Sequence, residues 1–123
     1  MRRVIGIAAA ALGLLAAATG AAAAEPGQGT FESFCAACHS VARPAKNLQG
    51  PSLLGVVGRK AGTAPGFAYS PAMKAYGVVW TTATLDAYLA NPKAKVPGTL
   101  MTFRGVSDPA ARAGLVAWLA TQK

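Results

Sequence analysis

The sequence predicts an all-α fold with long connecting loops, on three observations. Four segments combine a helix start signal with an apolar face at helical spacing or a clear stop signal. No run alternates apolar and polar residues as a half-buried strand would. Two stretches, 40–69 and 93–107, are long, rich in glycine and proline, and without clear periodicity.

The first helix is expected from Thr30 as cap to about Cys38, with Phe31, Phe34, Cys35 and Cys38 at i, i+3, i+4 and i+7. Ser70-Pro71 starts a short second helix, a cap followed by proline at the first helical position, and Gly77 stops it. Thr81 or Thr82 starts the third, with Leu85, Tyr88 and Leu89 on one face and Asn91-Pro92 as its end. Asp108-Pro109 starts the last, which turns Ala111, Leu115, Trp118 and Leu119 inward. Compact domains rarely carry structureless loops as long as the two between these helices unless the loops serve a function or wrap something. Both loops hold Leu, Val, Phe or Met, side chains suited to a large, flat, apolar object such as a porphyrin.

The chain has 123 residues, enough for one domain. Residues 1–24 read as a secretory signal peptide: a basic start at Arg2-Arg3, an uncharged apolar run from Val4 to Ala18, and small residues at Ala22 and Ala24. That run is short for a membrane span, which argues against an uncleaved anchor. The expected exported chain is residues 25–123, with the periplasm as its home. It keeps all four acids but loses two of the twelve cations, so its net charge is +6. Nucleic-acid binding is a poor reading of that charge, because export removes the partner. Eleven glycines, eight prolines and nine aromatics remain, a composition whose core alone supplies modest stability at this size.

Both cysteines and the only histidine fall in Cys35-Ala36-Ala37-Cys38-His39. An exported pair of cysteines suggests a disulfide, and Cys-x-x-Cys suggests a thioredoxin-like redox pair. The second reading expects a strand–helix–strand setting that is not visible. A zinc site would need further Cys or His ligands, and the chain has none. Cys-x-x-Cys-His is the attachment signature of a c-type haem. Two cysteines three apart on a helical turn can bond both vinyl edges of one porphyrin, and the next residue, His39, is carried to the iron. A single histidine rules out bis-histidine ligation from within the chain. The thioether candidates for the opposite iron position are Met73, inside the short second helix, and Met101, in the irregular loop; the loop position favours Met101. Sulfur opposite histidine stabilises ferrous iron and raises the potential.

The order CAACHSV, GPSLLGVVGRKAGTAPGFAYS, YGVVWTTATLDAYLANPKAKVPGTLMTF resembles the class I cytochromes c of mitochondrial type, above all their soluble bacterial periplasmic members. The resemblance runs from about Gly27 to the C-terminal helix and implies a cytochrome c domain over residues 25–123. It implies a small all-α fold of about four helices with long loops wrapped around one covalently bound haem c. By that resemblance Cys35 and Cys38 form the thioethers, His39 and Met101 ligate the iron, and the Pro51 carbonyl orients His39. Arg59, Tyr69 and Trp80 would donate hydrogen bonds to a buried propionate, while Tyr88 and Thr99 would line the side of Met101. Gly27, Phe31, Leu115 and Trp118 resemble the crossing of the terminal helices.

The implied function is a soluble monohaem one-electron carrier rather than an enzyme, with a subunit of a larger dehydrogenase or oxidase as the alternative. Its expected partners are redox proteins with acidic or mixed acidic and apolar faces. Three positions depart from the family: Phe34 and Leu100 stand where relatives often carry lysine, and Met73 where they often carry asparagine.

Overall fold

A computed structural model describes residues 10–17 and 25–123. The basic start and the Ala22–Ala24 cleavage site of the expected signal peptide lie outside the described residues. Among those residues no helix is long and apolar enough to cross a membrane.

Among the described residues five helices follow one another: α1 Gln28–Phe34, α2 Pro71–Tyr76, α3 Thr82–Ala90, α4 Pro92–Lys95 and α5 Pro109–Thr121. The described residues contain no strand, only an isolated antiparallel bridge between Lys60 and Val79. Three starts are as the sequence predicts. The side chains of Ser70, Thr81 and Asp108 accept the backbone N–H groups of Met73, Thr84 and Ala111, satisfying donors that a helix end leaves open. Thr84 returns the favour to the Thr81 N–H, which completes a capping box. Gly77 ends α2 in the left-handed region, φ 52°.

Two expectations change. The first helix is capped at Gly27 rather than Thr30, without a side-chain bond, and it ends at Phe34. Beyond it the backbone keeps turning, with the Cys38 and His39 N–H groups both donating to the Cys35 carbonyl at 3.0 and 2.9 Å. The fifth element, α4, lies in a stretch expected to be a loop. Its signal was present: Asn91 ends α3 and at once caps α4 by accepting the Ala94 N–H, with proline next.

The core gathers where α1 and α3 pack on α5. Leu115 is fully buried, Val116 and Leu119 nearly so, and Leu85, Tyr88 and Leu89 meet them from α3. Each such aliphatic side chain contributes roughly 1.5–3 kcal/mol through apolar burial. Trp118, expected to face inward, is half-buried because its ring caps Phe31 at 5.0 Å between centroids. At the crossing of α1 and α5, Gly27 has φ 91°, and a Cβ there would lie 2.8 Å from the Leu115 nitrogen and closer still to the Gly114 carbonyl. Only glycine lets the two backbones approach this closely. The crossing fixes the start of α1, and with it the Cys-x-x-Cys-His segment that follows directly on the helix.

Candidate functional site

Cys35 is buried and Cys38 half-buried, and both are free thiols. Burial, with the neighbouring Cys38 adding to it, pushes the Cys35 thiol up to about 11.

The loop that follows folds back on the motif. Gly50 N–H donates to the Cys38 carbonyl at 2.8 Å and Leu53 N–H to the Ser40 carbonyl at 2.9 Å. This return brings the Pro51 carbonyl to 2.8 Å from His39 Nδ1. A carbonyl only accepts, so Nδ1 carries the proton and Nε2 keeps a free lone pair. Burial is the main cause that holds the His39 pKa below its ordinary value, against the Pro51 hydrogen bond and with the help of Arg59. A neutral imidazole with Nε2 free is the form that binds a metal. Gly50 is required beside it: a Cβ would fall 2.7 Å from Nδ1 and 2.9 Å from Nε2, and nearer to Cε1.

Arg59 reaches back into the same loop, its Nη2 donating to the Ser52 carbonyl at 2.9 Å and Nη1 to the Leu54 carbonyl at 3.3 Å. Its Nε is buried without a partner, the one such side-chain atom among the described residues. An unpaired buried donor is costly, which marks a place for an anionic acceptor. Trp80 is tied to this strand-like segment at both sides: its N–H donates to the Arg59 carbonyl at 2.9 Å and its carbonyl accepts Gly58 N–H at 2.6 Å. Tyr69 accepts the Ala64 N–H at 2.9 Å on its hydroxyl oxygen, which leaves the phenolic proton for another acceptor.

The remaining expected residues continue from Trp80. Its ring lies 5.1 Å from that of Tyr88 and 5.8 Å from that of Tyr76. Burial raises the Tyr88 pKa, and a hydrogen bond with the Thr99 side chain opposes the rise. The Thr99 hydroxyl in turn accepts the Met101 N–H at 3.3 Å. Met101 is half-buried against the core, as are Met73, Leu53, Val57 and Ala72. Two residues past Met101, Phe103 packs its ring 6.0 Å from Phe34, which precedes Cys35. The chain of contacts thus leaves the motif at His39, passes through Pro51, Ser52, Arg59, Trp80, Tyr88, Thr99 and Met101, and closes through Phe103 and Phe34.

Two supporting residues were not singled out in the sequence. Asn47 braces the return loop, its oxygen accepting Ser52 N–H at 2.9 Å and its nitrogen donating to the Pro65 carbonyl at 2.9 Å. Phe103 closes the ring of contacts. An asparagine and a phenylalanine in aperiodic loops carry no local signal, and only the fold reveals their partners.

These residues fit the haem implied by the motif: two unpaired thiols three apart, a neutral imidazole, an orphaned guanidinium nitrogen and an apolar half-buried shell lie along one circuit. The cytochrome c family model matches residues 24–123. A cytochrome c2 of Rhodomicrobium vannielii is 48% identical over 118 residues, 96% of this chain and 94% of the relative. A cytochrome c2 of Rhodoblastus acidophilus is 52% identical over 89 residues, 72% of this chain and 83% of the relative. Among solved structures, cytochrome cH from Methylobacterium extorquens superposes with a TM-score of 0.73 at 47% identity, covering 78% of this chain and 95% of that one.

Proposed function

The chain belongs to the cytochrome c family as a class I c-type cytochrome, and from that premise we propose that it is a soluble periplasmic electron carrier whose iron is held between His39 and Met101. Its cofactor is haem c, its role is to carry electrons, and it is not an enzyme. Bound haem supplies an iron that takes up and gives up one electron, at a potential that a histidine–thioether pair raises. The rest is the work of the chain's own residues.

Cys35 and Cys38 would tether the group at one edge, and His39 would offer Nε2 to the iron. The observation that carries this assignment is the His39 Nδ1–H bond to the Pro51 carbonyl, which fixes both tautomer and ring orientation. On the other side Met101 is the ligand we favour over Met73. Its backbone N–H is bonded to the Thr99 hydroxyl, so its sulfur would be presented from a braced loop. Met73 belongs to α2, where a methionine serves equally as filling for the core. Arg59 Nε, the Tyr69 hydroxyl and the Trp80 indole would hold a propionate, which meets the need of the orphaned guanidinium nitrogen.

Cleavage after Ala24 would release residues 25–123 into the periplasm. A membership in a larger dehydrogenase or oxidase is the second reading, favoured by the exposed Phe34 and Leu100. Gel filtration of the native protein separates the two. The central assignment is tested by acid–acetone extraction followed by a redox titration. Haem should stay with the polypeptide and titrate reversibly as a single one-electron couple; free extraction of the haem would remove the claim.

A further inference from the structure

We propose that Arg112 is a positioning residue for Met101: with Asp86 it clamps the far end of the methionine loop and so holds that loop shut against a competing ligand. The proposal rests on the Met101 assignment above and concerns how that side chain is kept in place.

The loop runs from Val96, at the end of α4, to Val106, with Met101 five residues from each. Val96 and Val106 are 3% and 4% exposed, so both ends are fixed in the core. Between them the loop is thinly held. Thr99 N–H donates to the Val96 carbonyl at 3.0 Å and Met101 N–H to the Thr99 hydroxyl at 3.3 Å. Leu100, Thr102, Phe103 and Arg104 make no hydrogen bond among the described residues. On the side that follows Met101, polar fastening therefore begins only at the loop's end.

That end is fastened in three ways. Val106 N–H donates to the Leu89 carbonyl at 2.8 Å. Gly105, φ 109°, lies so close to the end of α3 that a Cβ would fall 2.8 Å from the Leu89 carbonyl oxygen and nearer still to that of Ala90. Arg112 supplies the third fastening: Nη1 donates to the Val106 carbonyl at 2.9 Å and Nε to Asp86 Oδ1 at 2.8 Å. The Arg112 side chain is only 14% exposed, and this is the one salt bridge among the described residues. One guanidinium thus joins α5, α3 and the loop. Its donors form a rigid planar fork, so the bond to Asp86 orients the nitrogen that holds Val106.

A bond that is present in the closed loop and lost in the open one shifts the opening equilibrium by its whole worth. Loss of one hydrogen bond from a charged donor should raise the open population by about tenfold or more. Opening would uncover the iron position that Met101 fills, so the clamp would keep an electron carrier from binding small ligands.

The test is stopped-flow binding of imidazole to the ferric holoprotein, read beside hydrogen exchange at the Val106 N–H. Arg112→Gln should speed both by about tenfold. Asp86→Asn, at a side chain 42% exposed where misfolding is a remote cause, should speed both by less. The double variant should be no faster than Arg112→Gln, because the two residues act as one unit. Thr81→Ala removes the cap at the opposite end of α3; it should lower stability and speed neither. Unchanged rates in Arg112→Gln, an equal acceleration in Thr81→Ala, or additive effects in the double variant would each overturn the proposal. Far-red absorption that survives Met101→Ala would refute the ligand assignment instead, while faster Val106 exchange in Arg112→Gln would still support the clamp.

Discussion

Replacing Gly50 by alanine tests the site at its narrowest point. The added Cβ would lie 2.7 Å from His39 Nδ1, 2.9 Å from Nε2 and closer to Cε1, where ordinary contact begins near 3.4 Å. Something must therefore move by roughly an ångström. A free imidazole would turn aside at little cost. Here the ring is hydrogen-bonded to Pro51 at 2.8 Å and, in our assignment, is held by the iron at its other nitrogen. Neither can be kept if the ring turns. The backbone cannot yield easily either, since Gly50 N–H is bonded to Cys38 and the Gly50 carbonyl to Leu48 N–H. Overpacking costs about 1–3 kcal/mol and a lost hydrogen bond about 0.5–1.5 kcal/mol, so Gly50→Ala should destabilise the holoprotein by about 2–4 kcal/mol. At roughly 4–8 °C per kcal/mol for a domain of this size, thermal melting should fall by about 8–32 °C. Circular dichroism melting of the purified holoprotein reads the stability, and a redox titration reads the ligand field. A melting curve and potential both equal to the parent's would mean that His39 is not fixed in the orientation described, and the reasoning about its tautomer would fall with it.

Gly27→Ala should open the crossing of α1 and α5, because its Cβ would enter the Gly114–Leu115 peptide and its φ of 91° suits no other residue well. A loss of about 2–4 kcal/mol is expected in denaturant titration, with no change in potential beyond that of a loosened fold. Met101→Ala should abolish the weak far-red absorption of sulfur-ligated ferric iron, lower the potential and admit small ligands. Met73→Ala should keep that absorption, and the reverse pattern would exchange the two methionines. Intact mass of protein recovered from the periplasm should equal residues 25–123 plus one haem; a mature chain that still starts at Met1 would speak for an anchor.

Much of the fold is legible because helix starts are local. Ser70-Pro71, Thr81 and Asp108-Pro109 each combine a capping oxygen with the residue that follows, and each caps as expected. The first helix departs from its sequence pattern because its start is set by a tertiary contact: Gly27 lets α5 approach, and no side-chain cap competes with that demand. Its end departs for a related reason. Cys35 to His39 are bonded in a turn that looks helical in periodicity but departs from the helix at Phe34. At the candidate site, the residues that the sequence singles out are those with a chemistry of their own: Cys35, Cys38, His39 and the two thioether candidates, Met101 and Met73. Asn47, Ser52 and Phe103 act through partners many positions away and become legible only when the loops are folded.

The way the site is braced limits how it can be altered. Trp80 and Tyr88 are 6% and 5% exposed, belong to the hydrophobic core, and also stand in the circuit from Arg59 to Met101. Truncating either removes a packed aromatic and a site group together, so loss of function there cannot be separated from a loss of about 3–5 kcal/mol. Leu100 and Phe34 are different: both project from the surface, and neither holds the core. Substitution at Phe34 or Leu100 should therefore leave the fold intact, whereas substitution at Trp80 or Tyr88 should not. Denaturant titration of Leu100→Ser beside Trp80→Ala reads the difference, and equal losses of stability in the two would refute it.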